Sequence, residues 1–307
     1  MKPRLVLTLL AALTLTATLA IVALGHRPLP PTPSPAGTRT FQVHGQIRGL
    51  SPADKTIRIA HDAIPNYMPA MTMSLPVKDM ALFQNLAVGD AVQFELLVTD
   101  DDSWISHIEK IQSEATATPA EAKATWSPEQ LEAERLQTGE LVPDFQLTDQ
   151  DGRPLHLKDF RGQAVVLTFV YTRCPLPNFC PLMSKNFADL EQRLSKEFPN
   201  RYHLLSISMD PGFDRPEVLK EYAARYGANP KDWSFAVGDA GSLNFIAGLV
   251  GLYFENENGL ISHDLRTALI GPDGRLVQLW KSNVWTPYEV QRSVRELLTG
   301  HADVASR

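Results

Sequence analysis

Residues Ala164–Tyr171 read AVVLTFVY, eight positions with no charge and only two hydroxyls, on Thr168 and Tyr171. A strand of this kind cannot keep one face in water. It suits a sheet covered on both sides by helices. The surrounding sequence supplies those helices. Leu182, Phe187, Leu190 and Leu194 recur at helical spacing and predict a helix over 181–197. His203–Met209 is a second buried strand, and a helix over 215–227 carries Pro216 in its first turn. A strand over 232–237 and a helix over 240–249 follow. Strands at 266–270 and 276–280 flank the turn Gly271-Pro272-Asp273-Gly274, and a helix over 287–299 closes the pattern. Alternating strands and helices ending in a hairpin specify an α/β sandwich with a mixed sheet over 140–300.

The chain has 307 residues, enough for a second domain. Residues 40–113 alternate with period two at Phe41, Val43 and Ile47, at Ile57 and Ile59, and at Val92, Phe94, Leu96 and Val98. Short half-buried strands in so few residues predict a small antiparallel β-barrel. The Pro-rich stretch 26–39 and the Ala/Thr/Glu-rich segment 114–139 read as linkers, the second with a short helix starting near 126. Residues 301–307 form a tail.

Lys2 and Arg4 precede 20 uncharged residues, Leu5–Leu24. At 1.5 Å per residue such a helix is about 30 Å long, the thickness of a bilayer core. Residues 1–25 are therefore expected to be a membrane anchor, or alternatively a cleaved signal, with the rest of the chain on the extracytoplasmic (periplasmic) side. The net charge is −6, and no basic run follows residue 5, which argues against a nucleic-acid partner.

Only two cysteines occur, Cys174 and Cys180, in the segment TFVYTRCPLPNFCPLMSKNF. Their number excludes a disulfide framework. The pair can be a single disulfide, a redox couple or half of a metal site. Cys174 follows the apolar strand, and Cys180 precedes Pro181 at a predicted helix start. Helix-terminal N–H groups there are expected to favour a Cys180 thiolate.

The segments PDFQLTDQDGRPLHLKDFRGQAVVLTFVYTRC, SISMDPGFDRPEVLKEYAARYG and ISHDLRTALIGPDG together resemble the SCO/SenC family of thioredoxin-like copper chaperones. The resemblance implies a copper site formed by Cys174, Cys180 and His263. It further implies a role in delivering copper to, or reducing the thiols of, the copper centre of a cytochrome c oxidase-type membrane oxidase. Asp210 would orient or tune the site, or cap a turn with Asp214. The sequence departs from the family in one respect: five residues separate the cysteines, where the family has three.

Residues 61–73 read HDAIPNYMPAMTM. Met71 and Met73 share a strand face, and thioethers are soft ligands suited to Cu(I). Methionines at alternate strand positions also commonly serve as core. With the following VGDAVQF, the segment resembles the CusF-like copper-binding barrels. That resemblance implies a second site from His61, Met71 and Met73, with Met68 where the family has Trp. Copper, as Cu(I) or Cu(II), is the expected metal. The expected partners are the membrane, through the N-terminal helix, and an oxidase subunit or another chaperone. The alternatives are an extracytoplasmic thiol–disulfide oxidoreductase using Cys174 and Cys180 as its redox-active pair, or a copper-buffering tolerance protein.

Overall fold

A computed structural model describes residues 37–68, 70–111, 128–257 and 260–300. The expected anchor at 1–25, the Pro-rich stretch through residue 36, the tail and residues 112–127 lie outside the described residues. Among the described residues no helix is long and apolar enough to cross a membrane.

The N-terminal strands are β1 (Arg39–Ser51), β2 (Thr56–His61), β3 (Met71–Pro76), β4 (Ala91–Val98) and β5 (Ser103–Lys110). They form one antiparallel sheet in the order β3-β2-β1-β4-β5. A parallel bridge between Val77 and Ile105 joins the two outer strands and closes the sheet into a barrel. Alternation places Ile57, Ile59, Val92, Phe94 and Leu96 inside, all fully buried. Closure removes the exposed edges that an open five-stranded sheet would carry. Gly45 faces His61 across the β1–β2 pair, where a Cβ would lie 2.6 Å from the Ala60 carbonyl oxygen. Only glycine permits that approach.

The second sheet contains β6 (Gln146–Asp149), β7 (Pro154–His156), β8 (Ala164–Val170), β9 (Tyr202–Ser208), β10 (Trp233–Val237), β13 (Arg266–Ile270) and β14 (Leu276–Lys281). Between β10 and β13 lies a separate hairpin, β11 (Phe254–Glu257) and β12 (Leu260–His263). The helices are α1 (Pro128–Glu134), α2 (Cys180–Glu197), α3 (Pro216–Arg225), α4 (Ala240–Leu249) and α5 (Pro287–Gly300). The sheet order is β14-β13-β8-β9-β10-β6-β7. β8 and β9 run parallel, and β13 and β14 form an antiparallel pair beside β8. This four-strand arrangement, with α2 following β8 and α5 following β14, is the thioredoxin-like fold. Every residue of β8 and β9 is buried, as a doubly covered strand requires.

Residues 128–139, expected as linker, belong instead to this domain. The Leu136 N–H bonds the Leu249 carbonyl at 3.0 Å, and Glu132 accepts from Lys281 at 2.8 Å. The hairpin β11–β12 and the short hairpin β6–β7 are additions to the expected strands. The barrel and the α/β domain lie within one compact unit.

Candidate metal centre

The loop from Tyr171 to Phe179 leaves the C-terminal end of β8 and enters α2 at Cys180, with Pro181 in the first helical turn. Two buried carboxylates hold the start of the loop. Asp214 is fully buried, and its oxygens accept from the Thr172 N–H (3.0 Å), the Thr172 hydroxyl (2.5 Å) and the Ser208 hydroxyl (2.6 Å). Asp210 pairs with the Arg173 guanidinium, which donates to one carboxylate oxygen at 3.1 Å from Nε and 2.5 Å from Nη2. That guanidinium also lies over the Phe213 ring. Asp210 therefore steadies the residue preceding Cys174. Asp210 and Asp214 also share a turn, the Asp214 N–H bonding the Asp210 carbonyl at 2.8 Å.

Cys174 and Cys180 are free thiols in hydrogen-bond contact, Cys174 half-buried and Cys180 fully buried. Their acidities run opposite to the expectation from the helix start. Burial opposes ionisation of Cys174. Hydrogen bonds from the Cys180 thiol and backbone N–H and from the Tyr171 hydroxyl outweigh it and lower the pKa. Complete burial, together with the neighbouring Cys174, pushes Cys180 well up. The helix-terminal N–H thus serves the sulfur outside the helix, because Cys180 has its own side chain turned into the core.

His263 closes β12 and is buried. Its Nδ1 lies 2.7 Å from the Asp264 carbonyl oxygen, a group that only accepts, so Nδ1 carries the proton. Nε2 is left as a lone pair 3.6 Å from Cys180 Sγ. Burial lowers the His263 pKa to about 4, keeping the ring neutral. The Tyr171 ring meets His263 edge-on at 5.8 Å. Cys180 therefore joins the other two residues, touching Cys174 on one side and His263 on the other. Among the described residues no three His, Cys, Asp or Glu side chains already surround one point.

In the barrel, His61 and Met71 are cross-strand partners, and Met73 lies two residues further along β3. Met68 sits in the turn between, bridged to Ile64, and all four side chains are buried. His61 repeats the His263 arrangement. Its Nδ1 donates to the Asp62 carbonyl at 2.7 Å, and its buried Nε2 has no hydrogen-bond partner. A buried imidazole lone pair among thioethers is an acceptor without a donor. It fits a soft metal ion, which supplies the missing partner.

The SCO1/SenC family model matches residues 133–299. The chain belongs to the SCO1/SenC family. A SCO1 protein homolog of Bacillus subtilis is 30% identical over 154 residues, which is 48% of this chain and 77% of the relative. A putative copper-binding protein of Stutzerimonas stutzeri is 31% identical over 140 residues, covering 44% and 66% of the two chains. The solved structure of BsSco, described as a member of the Sco family of cytochrome c oxidase assembly proteins with a disulfide switch, is 26% identical. It covers 53% of this chain and 96% of its own, with a TM-score of 0.46. Residues 40–110 match the model of the copper-binding periplasmic protein CusF. Sco-family and CusF domains bind copper, and this SCO1/SenC chain carries both.

The spacing of the cysteines had marked this loop as unusual, but the role of its added residues was not read from sequence. Asn178 is buried and bound on three sides. It accepts from the Ser103 hydroxyl (2.5 Å), donates to Asp102 Oδ1 (3.0 Å) and the Ser103 carbonyl (2.9 Å), and its own carbonyl accepts from Asn283 (2.6 Å). Tyr171, Asp214 and Gly45 were also missed as supports of the two sites.

Proposed function

We propose that this protein is an extracytoplasmic copper metallochaperone that loads, or reduces the copper-site thiols of, a cytochrome c oxidase-type membrane oxidase. The N-terminal segment would hold it to the membrane. Copper is its cargo, bound at Cys174, Cys180 and His263 and, in the barrel, at His61, Met71, Met73 and Met68. The observation that carries this reading is the neutral His263 lone pair facing Cys180 Sγ, itself in contact with Cys174. Two thiolates and an imidazole make a soft three-ligand set that holds Cu(I) and tolerates Cu(II). The Nδ1 bond to Asp264 fixes the ring in the ligating tautomer. Binding requires the thiol protons to leave, so affinity rises with pH.

The test is a Cu(I) titration of the reduced protein against a competing chelator. Two tight equivalents are expected. One is lost in Cys174→Ser/Cys180→Ser, the other in Met71→Leu/Met73→Leu. No tight equivalent in the wild type would overturn the chaperone reading.

The thiol geometry also supports a second reading, a thiol–disulfide oxidoreductase. Cys174 is the more acidic and more exposed thiol, and Cys180 is the buried one. That is the division between an attacking and a resolving cysteine. A Cys180→Ser variant that traps no partner as a mixed disulfide would count against it.

A further inference from the structure

The barrel touches the α/β domain through residues that adjoin candidate ligands on both sides. The Tyr67 hydroxyl, one residue before Met68, donates to the carbonyl of Pro175, one residue after Cys174 (3.2 Å). The Ser74 hydroxyl, one residue after Met73, donates to Asp264, one residue after His263 (3.2 Å). β3, which carries Met71 and Met73, runs beside β12, which ends in His263, with Cα atoms within 8 Å. Arg58 of β2 covers the Tyr253 ring at the base of the β11–β12 hairpin, 3.8 Å from its centroid. Asn178, in the enlarged cysteine loop, is seated in the β4–β5 turn through Asp102 and Ser103. Lys185 of α2 pairs with Asp101 of the same turn at 2.8 Å.

Surface loops that merely meet would not bury an asparagine with all its amide atoms bonded. The side-chain bonds of Asn178 all go to barrel atoms, and Asn178 lies between the two cysteines. From this we infer that the barrel is the intramolecular partner of the Cys174/Cys180/His263 site. The residues that enlarge the cysteine loop are its docking key, holding the two copper sites face to face so that Cu(I) passes directly from the thioether set to the thiolate set. The inference rests on the copper reading above. The transfer is ligand exchange without change of oxidation state. Bonds from copper to His61 and the methionine sulfurs break, bonds to the two cysteine sulfurs and His263 form, and the two thiol protons leave to solvent. The gradient runs from neutral thioethers to anionic thiolates, which hold Cu(I) more tightly.

The experiment follows loading of the cysteine site in the full-length reduced protein. Cu(I) is presented as a complex with a soluble chelator, and thiolate–copper charge-transfer absorption is recorded by stopped flow. Wild type, Met71→Leu/Met73→Leu, Asn178→Ala and Tyr67→Phe are compared, and each variant is checked for native circular dichroism. Tyr67→Phe deletes one hydroxyl on the barrel side and leaves the cysteine loop sequence intact. Loading is expected to slow about tenfold in the methionine variant and severalfold in the two docking variants. The equilibrium Cu(I) affinity of the cysteines should stay within about twofold of wild type. Combining the methionine and Tyr67 changes should slow loading no further than the methionine change alone, because both interrupt one step. Loading rates equal to wild type in all variants would overturn the relay. Absence of cysteine-bound Cu(I) at equilibrium would instead sink the copper reading itself, so the two failures are distinguishable.

Discussion

His263 Nε2 stands 3.6 Å from Cys180 Sγ, while the same sulfur contacts Cys174. A reaction with an external group must start at Cys174, since Cys180 is wholly buried. Iodoacetamide at pH 7 is expected to modify Cys174 at least about tenfold faster than Cys180 in the native protein. In denaturant the two rates should converge, as burial and hydrogen bonding are lost. Peptide mapping reads both. Tyr171→Phe removes a donor to the Cys174 sulfur, so its pKa should rise and its alkylation at neutral pH should slow.

Asp214 anchors the same loop from beneath. Removing its carboxylate leaves the Thr172 N–H and the Thr172 and Ser208 hydroxyls without their acceptor in a buried place. Asp214→Ala should cost about 2–4 kcal/mol, in line with other broken buried networks. For a chain of this size that lowers the melting temperature by roughly 5–10 °C. Calorimetry checks the stability. Cu(I) affinity should fall as well, because the residues leading into Cys174 lose their anchor.

The pH dependence of stability should carry the mark of buried neutral histidines. His263 and His203 both have pKa values lowered to about 4 by burial. The unfolded chain, with histidines near 6.5, takes up protons first as pH falls. Stability is therefore fully present above about pH 6.5 and is lost as pH falls toward 4, by up to about 3 kcal/mol for each ring. Denaturant titrations between pH 7 and 4.5 should show this slope, and His263→Gln should reduce it. A slope unchanged in that variant would mean the ring is hydrated.

Much of this architecture is readable from the chain because its strands and helices obey strong local patterns. β8 is an uninterrupted apolar run, α2 starts at Cys180-Pro181, and the Gly271–Gly274 turn sets the β13–β14 hairpin. The candidate ligands were legible as residue types: His61, Met68, Met71, Met73, Cys174, Cys180 and His263. What escaped the sequence depends on long-range approach. Asn178 gains its partners from a turn 75 residues away, and no local pattern encodes that. The order of thiol acidity was misread because helix position alone omits burial, which dominates at Cys180. Residues 128–139 look compositionally like a linker, yet Leu136 and Glu132 find partners on α4 and β14.

His61 offers the sharpest separation between a ligand and a core residue. Its Nε2 is buried and unpartnered, which costs roughly 1–3 kcal/mol while no metal is present. A residue kept for packing alone would not carry that penalty. His61→Leu removes the orphaned nitrogen and keeps an apolar side chain beside Met71, at the expense of the Nδ1 bond to the exposed Asp62. The metal-free variant should therefore be as stable as wild type to within about 1 kcal/mol, or more stable. Excess Cu(I) should raise the unfolding midpoint less in the variant than in wild type, because binding to the native state stabilises by mass action and the variant keeps only the cysteine site. A metal-free His61→Leu protein several kcal/mol weaker than wild type, with its Cu(I) response intact, would make His61 a packing residue and move the barrel site onto the methionines alone.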